Sequence, residues 1–387
     1  MMEHIYLDNS ATTALSPAAR DKIAQVMDTF GNPSSLHRAG RDAAAVLAEA
    51  RSAVARSLGL RNIAPGELIF TSCGSESDST AILGVARAKE RRTASRIVTT
   101  DSEHPAVEAV MQQLEREGFE VVRVSTRGGA LDMTELDAAL NQNVLLVSMM
   151  MVNNETGALY DLKTAFAMAK ARNPQVVTHT DAVQGYLKCR FTPASLGADL
   201  VSISAHKVHG PKGVGALYIN PALLKSKRIV PFLLGGGQEN GLRSGTENVL
   251  GIAAFGAAVA VLHPRMADDI THMSELRSYA IDRLGSLGIA VKVPPVAAPH
   301  IVNLTLPNIK SETMLHHLDA RGVCVSSGSA CSSHARNLSR ALMAFGCSEQ
   351  EIDCSLRVSL CPDNTKEDID ALIDGLSDGL GRLIRMK

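Results

Sequence analysis

Between residues 68 and 219 the chain repeats one pattern, a short apolar run followed by a longer amphipathic stretch. The runs at 68–71, 96–100, 121–124, 144–149, 176–180, 200–204 and 215–219 predict strands, and the stretches at 75–89, 105–117, 134–140 and 161–172 predict helices between them. Strands joined through helices pair mostly in parallel, and the helices cover both faces of the sheet. Helices at 17–30 and 39–58 precede this region, with the turn-forming G-N-P-S-S-L-H-R between them. Beyond it, a helical region at 245–287 with a break expected at Pro264 leads to grouped elements: strands at 289–293, 301–306 and 356–359, and helices at 311–320, 338–345 and 365–384. The expected fold is α/β, a large domain on a mostly parallel mixed sheet flanked by helices plus a smaller α+β domain. The expected division assigns 15–262 to the large domain and 1–14 with 263–387 to the smaller one. A chain of 387 residues has room for both cores.

A net charge of -1 gives no electrostatic reason to expect nucleic acid or an anionic membrane as a partner. With no Trp and 3% aromatic residues there is little to stack bases on. The N-terminal M-M-E-H-I-Y-L-D-N-S does not read as a signal peptide, and the apolar run at 249–262 is too short to span a bilayer and reads as a buried helix. Seven cysteines without paired spacing point to a reducing, cytoplasmic setting. Cys347, Cys354 and Cys361 recur at intervals of seven, but no C-x-x-C occurs and no metal site is expected.

In open α/β sheets ligands sit beyond the carboxyl ends of the strands, so the polar residues that follow each strand matter most. The run at 200–204 ends in S-A-H-K-V-H-G-P-K-G. Lys207 there is a candidate covalent anchor for an aldehyde, because desolvation favours the neutral amine; a surface lysine on a turn would read the same way. T-S-C-G-S-E-S after 68–71 opens a helix at Gly74 and Ser75. It suits a phosphate, although an ordinary N-cap at Ser72 or Ser75 has the same signature. His104 in D-S-E-H-P-A-V could stack on a flat ring, shuttle protons or cap a helix. V-N-N-E-T-G places the amides of Asn153 and Asn154 at a strand end. H-T-D-A-V-Q-G places Asp181 where a carboxylate could keep a pyridinium nitrogen protonated, with Gln184 about one helical turn on. The glycine-rich G-G-G-Q-E-N-G-L-R-S-G-T-E-N could approach a phosphate. V-S-S-G-S-A-C-S-S-H carries Cys331 on a polar loop from which a thiolate could reach a substrate. Arg357, a guanidinium inside the apolar S-L-R-V-S-L, needs a partner, and a carboxylate suits its fork.

The order of these parts resembles the fold-type I pyridoxal-phosphate (PLP) enzymes, and in particular the cysteine desulfurases of the IscS/NifS type in the class V aminotransferase family. The resemblance rests on Y-L-D-N-S-A-T-T, F-T-S-C-G-S-E-S, E-H-P-A-V, V-N-N-E-T-G, D-A-V-Q, S-A-H-K-V-H-G-P-K-G, G-L-R-S-G-T-E-N and S-S-G-S-A-C, which span nearly the whole chain. S-S-G-S-A-C is the most discriminating of these.

The resemblance implies that Lys207 carries the cofactor and that His104 stacks on its ring and aids proton transfer. Asp181 would pair with the ring nitrogen and Gln184 with the ring hydroxyl. Gly74, Ser75, Ser204 and His206 would hold the phosphate, with Thr246 reaching it from the partner subunit of a homodimer. Asn154 and Arg357 would hold the substrate carboxylate. The implied reaction takes sulfur from L-cysteine, leaves L-alanine, and forms a persulfide on Cys331 that passes to an acceptor such as an iron–sulfur scaffold or a tRNA-thiolation protein. Cys73 departs from the usual glycine of this turn and Ser75 from the common threonine. Other readings are a selenocysteine lyase or another PLP enzyme of the same family and, from a different class, a non-catalytic sulfur-trafficking protein. A nucleotide-binding protein is disfavoured by the absence of G-x-x-x-x-G-K-[ST].

Overall fold

The computed structural model describes residues 4–88, 95–327 and 338–384. Its main sheet has seven strands, in the order Leu68–Thr71, Gly215–Ile219, Leu200–Ser204, Val177–Asp181, Val144–Ser148, Arg96–Thr100 and Glu120–Val124. Gly215–Ile219 alone runs against its two neighbours, and the other strand pairings are parallel. Strands from Leu68–Thr71 to Val144–Ser148 in that order are fully buried, which is why most of them read as apolar runs, although Val177–Asp181 is V-T-H-T-D. Some of their polar members pair with one another, while Thr180 Oγ1 and Ser204 Oγ have no hydrogen-bond partner among the described residues. The His179 ring lies between the hydroxyls of Ser148 at 2.8 Å and Ser202 at 3.0 Å, and burial pulls its pKa down to about 3, so the ring is neutral.

A second core lies around the three-stranded antiparallel sheet of Ser355–Ser359, Ile301–Thr305 and Ala290–Lys292. Leu7, Met273, Leu304, Leu318, Leu356 and Leu376 belong to it. Ile5–Tyr6, within the short extended piece that the sequence suggests at 4–7, pairs in parallel with Val323–Cys324, a strand the sequence reading missed, and this brings the N-terminal segment onto the unit. An isolated bridge from Asp8 to Ser359 extends the contact.

Val249–Ser286 is one helix of 38 residues, which corrects the break expected at Pro264. A proline withholds one N–H from the carbonyl four residues back. That carbonyl belongs to Ala260, and both residues face solvent, where water can satisfy it. The first half of this helix packs on Arg38–Ser57, where a Cβ at Gly256 would stand 2.5 Å from Cα of Ala50, so only glycine permits the approach. Met273, Leu276, Ala280 and Leu284 in its second half belong to the second core. The division drawn at 262/263 therefore falls inside a continuous helix.

Candidate active site

The carboxyl ends of the parallel strands and the N-terminal segment enclose a cavity of about 240 Å³. Gly74, Ser75, His104, Asn154, Asp181, Gln184, Ser204, His206, Lys207 and Arg357 all line it. Chain separations of up to 347 residues, from Ser10 to Arg357, converge on this one pocket. Thr246 is exposed and does not line the cavity. Cys331 lies outside the described residues. Of the paired amides only Asn154 faces the cavity. Asn153 is spent on its turn, its Oδ1 accepting from the N–H groups of Glu155 and Thr156.

Lys207 ends a 3-10 turn, Ala205–Lys207, that follows directly on Leu200–Ser204. It is half-buried rather than sealed, and Nζ donates to the carbonyls of Ser10 at 2.5 Å and Ala11 at 2.8 Å. Burial pulls the pKa of the preceding His206 down to about 4, and the charge on Lys207 adds to the effect, so that ring is neutral. Gln184 Nε2 also donates to the Ser10 carbonyl, at 2.9 Å. The sequence reading gave Ser10 and Ala11 no role.

Helix Gly74–Ala86 opens at the cavity. Its N-cap is Cys73, whose side chain makes no capping hydrogen bond, so the cap expected at Ser72 or Ser75 is not the one the chain uses. The first turn therefore has no side-chain cap, and helix N-termini in this condition favour anions. Glycine at 74 and 215 keeps the turn compact. A Cβ on Gly74 would meet Val183 Cγ2 at 2.8 Å, and one on Gly215 would meet the Cys73 backbone at 2.6 Å.

His104 serves as both cap and wall. Its Nδ1 accepts the Ala106 N–H at 3.2 Å at the start of Pro105–Arg116, which leaves Nε2 as the protonated nitrogen of the neutral ring. Burial lowers its pKa, opposed by Asp181 and aided by Lys207. Asp181 Oδ1 accepts the Val183 N–H at 2.9 Å, and burial raises its pKa. Asp78, also on the cavity wall, is raised well above the carboxylate range by burial and then by Asp181. Two adjacent buried carboxyls cannot both ionise cheaply, so one of them calls for a cation opposite it. Arg357 is nearly sealed. It donates to the Asn154 carbonyl at 3.0 Å and to Asp8 at 2.7 Å, while Nε has no hydrogen-bond partner.

Glu103, next to the cavity histidine, is buried. Its Oε1 accepts from Thr100 Oγ1 at 2.7 Å and the Met150 N–H at 2.9 Å, and burial pushes its pKa up to about 8. An unfolded glutamate titrates at about 4.3. The folded-state pKa is the higher one, so the favourable contribution is full below the unfolded value and is lost as pH rises towards 8. Glu103→Gln is therefore expected to raise the melting temperature at pH 8, by an amount worth a few kcal/mol, and to leave it nearly unchanged at pH 4. Thermal denaturation at the two pH values tests this, and equal shifts at both would count against a protonated Glu103.

Residues 5–372 match the aminotransferase class-V family. The chain belongs to that family. A protein of Trichormus azollae named cysteine desulfurase is 38% identical, the match covering 99% of this chain and 94% of that one. The cysteine desulfurase IscS of Salmonella paratyphi B is 37% identical, over 98% of this chain and 93% of its own. A solved structure titled as a NifS-like protein superposes with a TM-score of 0.90 at 33% identity, covering 98% of this chain and 100% of that one. The family's cofactor is pyridoxal phosphate, and the cavity fits it. Ser204 Oγ and Gln184 Oε1 are buried there without hydrogen-bond partners, and an uncapped helix start and a buried carboxylate face the same space. Asp181 could hold a protonated ring nitrogen, the cation its burial requires. Asp181→Asn keeps the shape and removes the charge. Breaking a buried ion pair costs about 3 kcal/mol at the low end, so turnover should fall roughly 10²-fold with cofactor still bound. Steady-state turnover beside cofactor absorbance would measure it, and an unchanged rate would remove Asp181 from the ring-nitrogen role.

Proposed function

We propose that this chain is a PLP-dependent cysteine desulfurase, forming L-alanine and a persulfide on Cys331 from L-cysteine. The observation that carries the reading is the meeting of Lys207, His104, Asp181 and Arg357 in one cavity, in a chain whose full-length relatives are named for that activity. When bound, the cofactor supplies an electron sink for the carbanion left at the substrate's α-carbon.

The residues do the rest. Lys207 would hold the cofactor covalently, and its amine is placed to move the proton of the substrate's α-carbon. The carbonyls of Ser10 and Ala11 fix where its Nζ waits. His104, neutral with its proton on Nε2, stacks on the ring and can give or take a proton there. Gln184 would pair with the ring hydroxyl, and Gly74, Ser75, Ser204 and His206 would hold the phosphate. Arg357 and Asn154 orient the substrate carboxylate, and the buried Nε gives Arg357 a donor still to be used. The Cys331 thiolate attacks the substrate sulfur, the carbon–sulfur bond breaks, and its electron pair returns to carbon.

A homodimer accounts for two features of the surface. Thr246 is exposed in its own protomer, where a partner's phosphate could meet it. Phe30, Leu36 and Leu234 are large apolar side chains 78 to 90% exposed, an arrangement that a second copy would cover. The persulfide would then pass to a sulfur-acceptor protein such as an iron–sulfur scaffold, and a cytoplasmic location suits the free thiols among the described cysteines.

The test is product analysis. Holoenzyme given L-cysteine and a reductant should release alanine and sulfide in equal amounts. A protein that converts cysteine to a keto acid without releasing sulfide would keep the cofactor and sink the desulfurase reading.

A further inference from the structure

Behind the Lys207 loop, His209, Cys361 and Asp363 bring a ring nitrogen, a thiol sulfur and a carboxylate oxygen within 4.8 Å of one another. None of the three lines the active-site cavity. The spacing of seven that links Cys361 to Cys354 and Cys347 in sequence plays no part, since among the described residues Cys361 groups with His209 and Asp363 instead. We propose that these three residues form a binding site for a borderline divalent metal ion of the Zn²⁺ class, with a fourth position open to solvent beside the exposed Asp363.

The set is built for the task from both sides. His209 Nδ1 lies 3.0 Å from the Ala14 carbonyl, a contact in which only Nδ1–H can donate. The neutral ring therefore presents Nε2 as a lone pair, the arrangement that orients metal-binding histidines. His209 is held in the left-handed region at φ 57, its N–H donating to Thr13 Oγ1 at 2.7 Å and its carbonyl accepting from the Ser16 N–H at 3.0 Å. Both the conformation and the ring position are thus imposed by the N-terminal segment. On the other side Cys361 is buried in a C-P-D-N turn. Burial raises the Cys361 thiol to about 11, and the backbone N–H groups of Asp363 and Asn364 directed at its sulfur offset part of that, so an ion would bind by displacing the thiol proton. Asn364 pins the turn, accepting the Cys361 N–H at 2.9 Å and donating to the Tyr6 carbonyl at 3.2 Å. Nitrogen, sulfur and one carboxylate oxygen make a ligand set suited to zinc-like ions rather than to magnesium or calcium.

Lys188 opposes the ion. It is buried, and its charge is felt at both Cys361 and His209. Two anionic ligands, the thiolate and the carboxylate, offset an ion's double charge, and Lys188 then lowers the affinity without abolishing it. A bound ion would tie the loop that carries Lys207 to the turn that follows the Arg357 strand, two pieces of the active site otherwise joined through the N-terminal segment.

The test uses full-length holoenzyme carrying Cys331→Ser, which removes the loop thiol from competition, and titrates it with Co²⁺ and then Zn²⁺. One equivalent of Co²⁺ should bind with red absorption clear of the cofactor's bands and a thiolate charge-transfer band, and Zn²⁺ should displace it. Adding Cys361→Ser or His209→Ala should weaken binding more than about 100-fold, beyond the 10–100-fold cost of losing an outer hydrogen-bond partner. Asp363→Ala, at an exposed position that cannot endanger the fold, should weaken it at least about 10-fold. No Co²⁺ bound by the parent protein, cobalt bands that persist in Cys361→Ser, or an affinity unmoved by Asp363→Ala would each overturn the site.

Discussion

Lys207→Ala should yield a folded protein that shows no cofactor absorbance shift on adding L-cysteine and forms no alanine above background. A positioned acid–base group alone supplies about 10²–10⁴-fold, and Lys207 is placed to be the covalent anchor as well, so the loss should exceed that range. The fold should survive, because the Ser10 and Ala11 carbonyls that accept from Nζ lie beside the cavity and can be hydrated. Lys207→Arg should behave like the alanine variant, since a guanidinium keeps the charge but cannot form the covalent link. The chain holds a rival amine. Lys188 is fully buried and its pKa is pulled down to about 7 by burial, with Lys207 adding to the effect. Desolvation alone would pick Lys188 as the reactive lysine. Geometry picks Lys207, because it lines the cavity with Asp181 and His104 and Lys188 does not. Absorbance spectra and alanine assays on Lys207→Ala and Lys188→Met decide between them. Retained activity in the first and loss in the second would move the anchor to Lys188.

That contrast shows what the chain order makes legible. Strands buried on both faces are rich in apolar residues, so runs such as 144–148 and 200–204 stood out, and the polar residues after them marked the cavity rim. Ser10 and Ala11 did not stand out, because a short turn without periodicity gives no sign that it will lie across Lys207, 197 residues away from Ser10. Asp78 was hidden differently. It sits inside Gly74–Ala86, where a polar residue usually means a solvated helix face, yet this helix is buried on nearly every side. The run of hydroxyls and acids in S-E-S-D-S-T was the available signal. Pro264 misled because helix breaking depends on whether the orphaned carbonyl can find water, and sequence alone does not say which face is wet. The His209–Cys361–Asp363 cluster has no linear spacing at all, since 152 residues separate the histidine from the cysteine (361 minus 209).

Cys331→Ser should separate the two covalent halves of the proposed reaction. The substitution leaves every described residue of the cavity in place, so the variant should bind cofactor and respond spectrally to L-cysteine as the parent does. It should not release sulfide. A hydroxyl cannot accept sulfur as a persulfide, and removing the nucleophile of a covalent mechanism costs on the order of 10⁶ in turnover. The thiol must also be the one that reacts first. The described alternatives are poor: burial raises Cys189 to about 12 and Cys361 to about 11, which leaves both protonated at neutral pH. Cys73 is the described cysteine that lines the cavity. It stands at the N-cap of Gly74–Ala86, the helix that would hold the phosphate. A Cys73→Ala variant is therefore the necessary companion. Persulfide labelling followed by peptide mass analysis should find the extra sulfur on residue 331 in the parent, and nowhere in Cys331→Ser. Sulfur found on Cys73, with sulfide release abolished by Cys73→Ala and not by Cys331→Ser, would relocate the nucleophile from the smaller unit's loop to the phosphate turn itself.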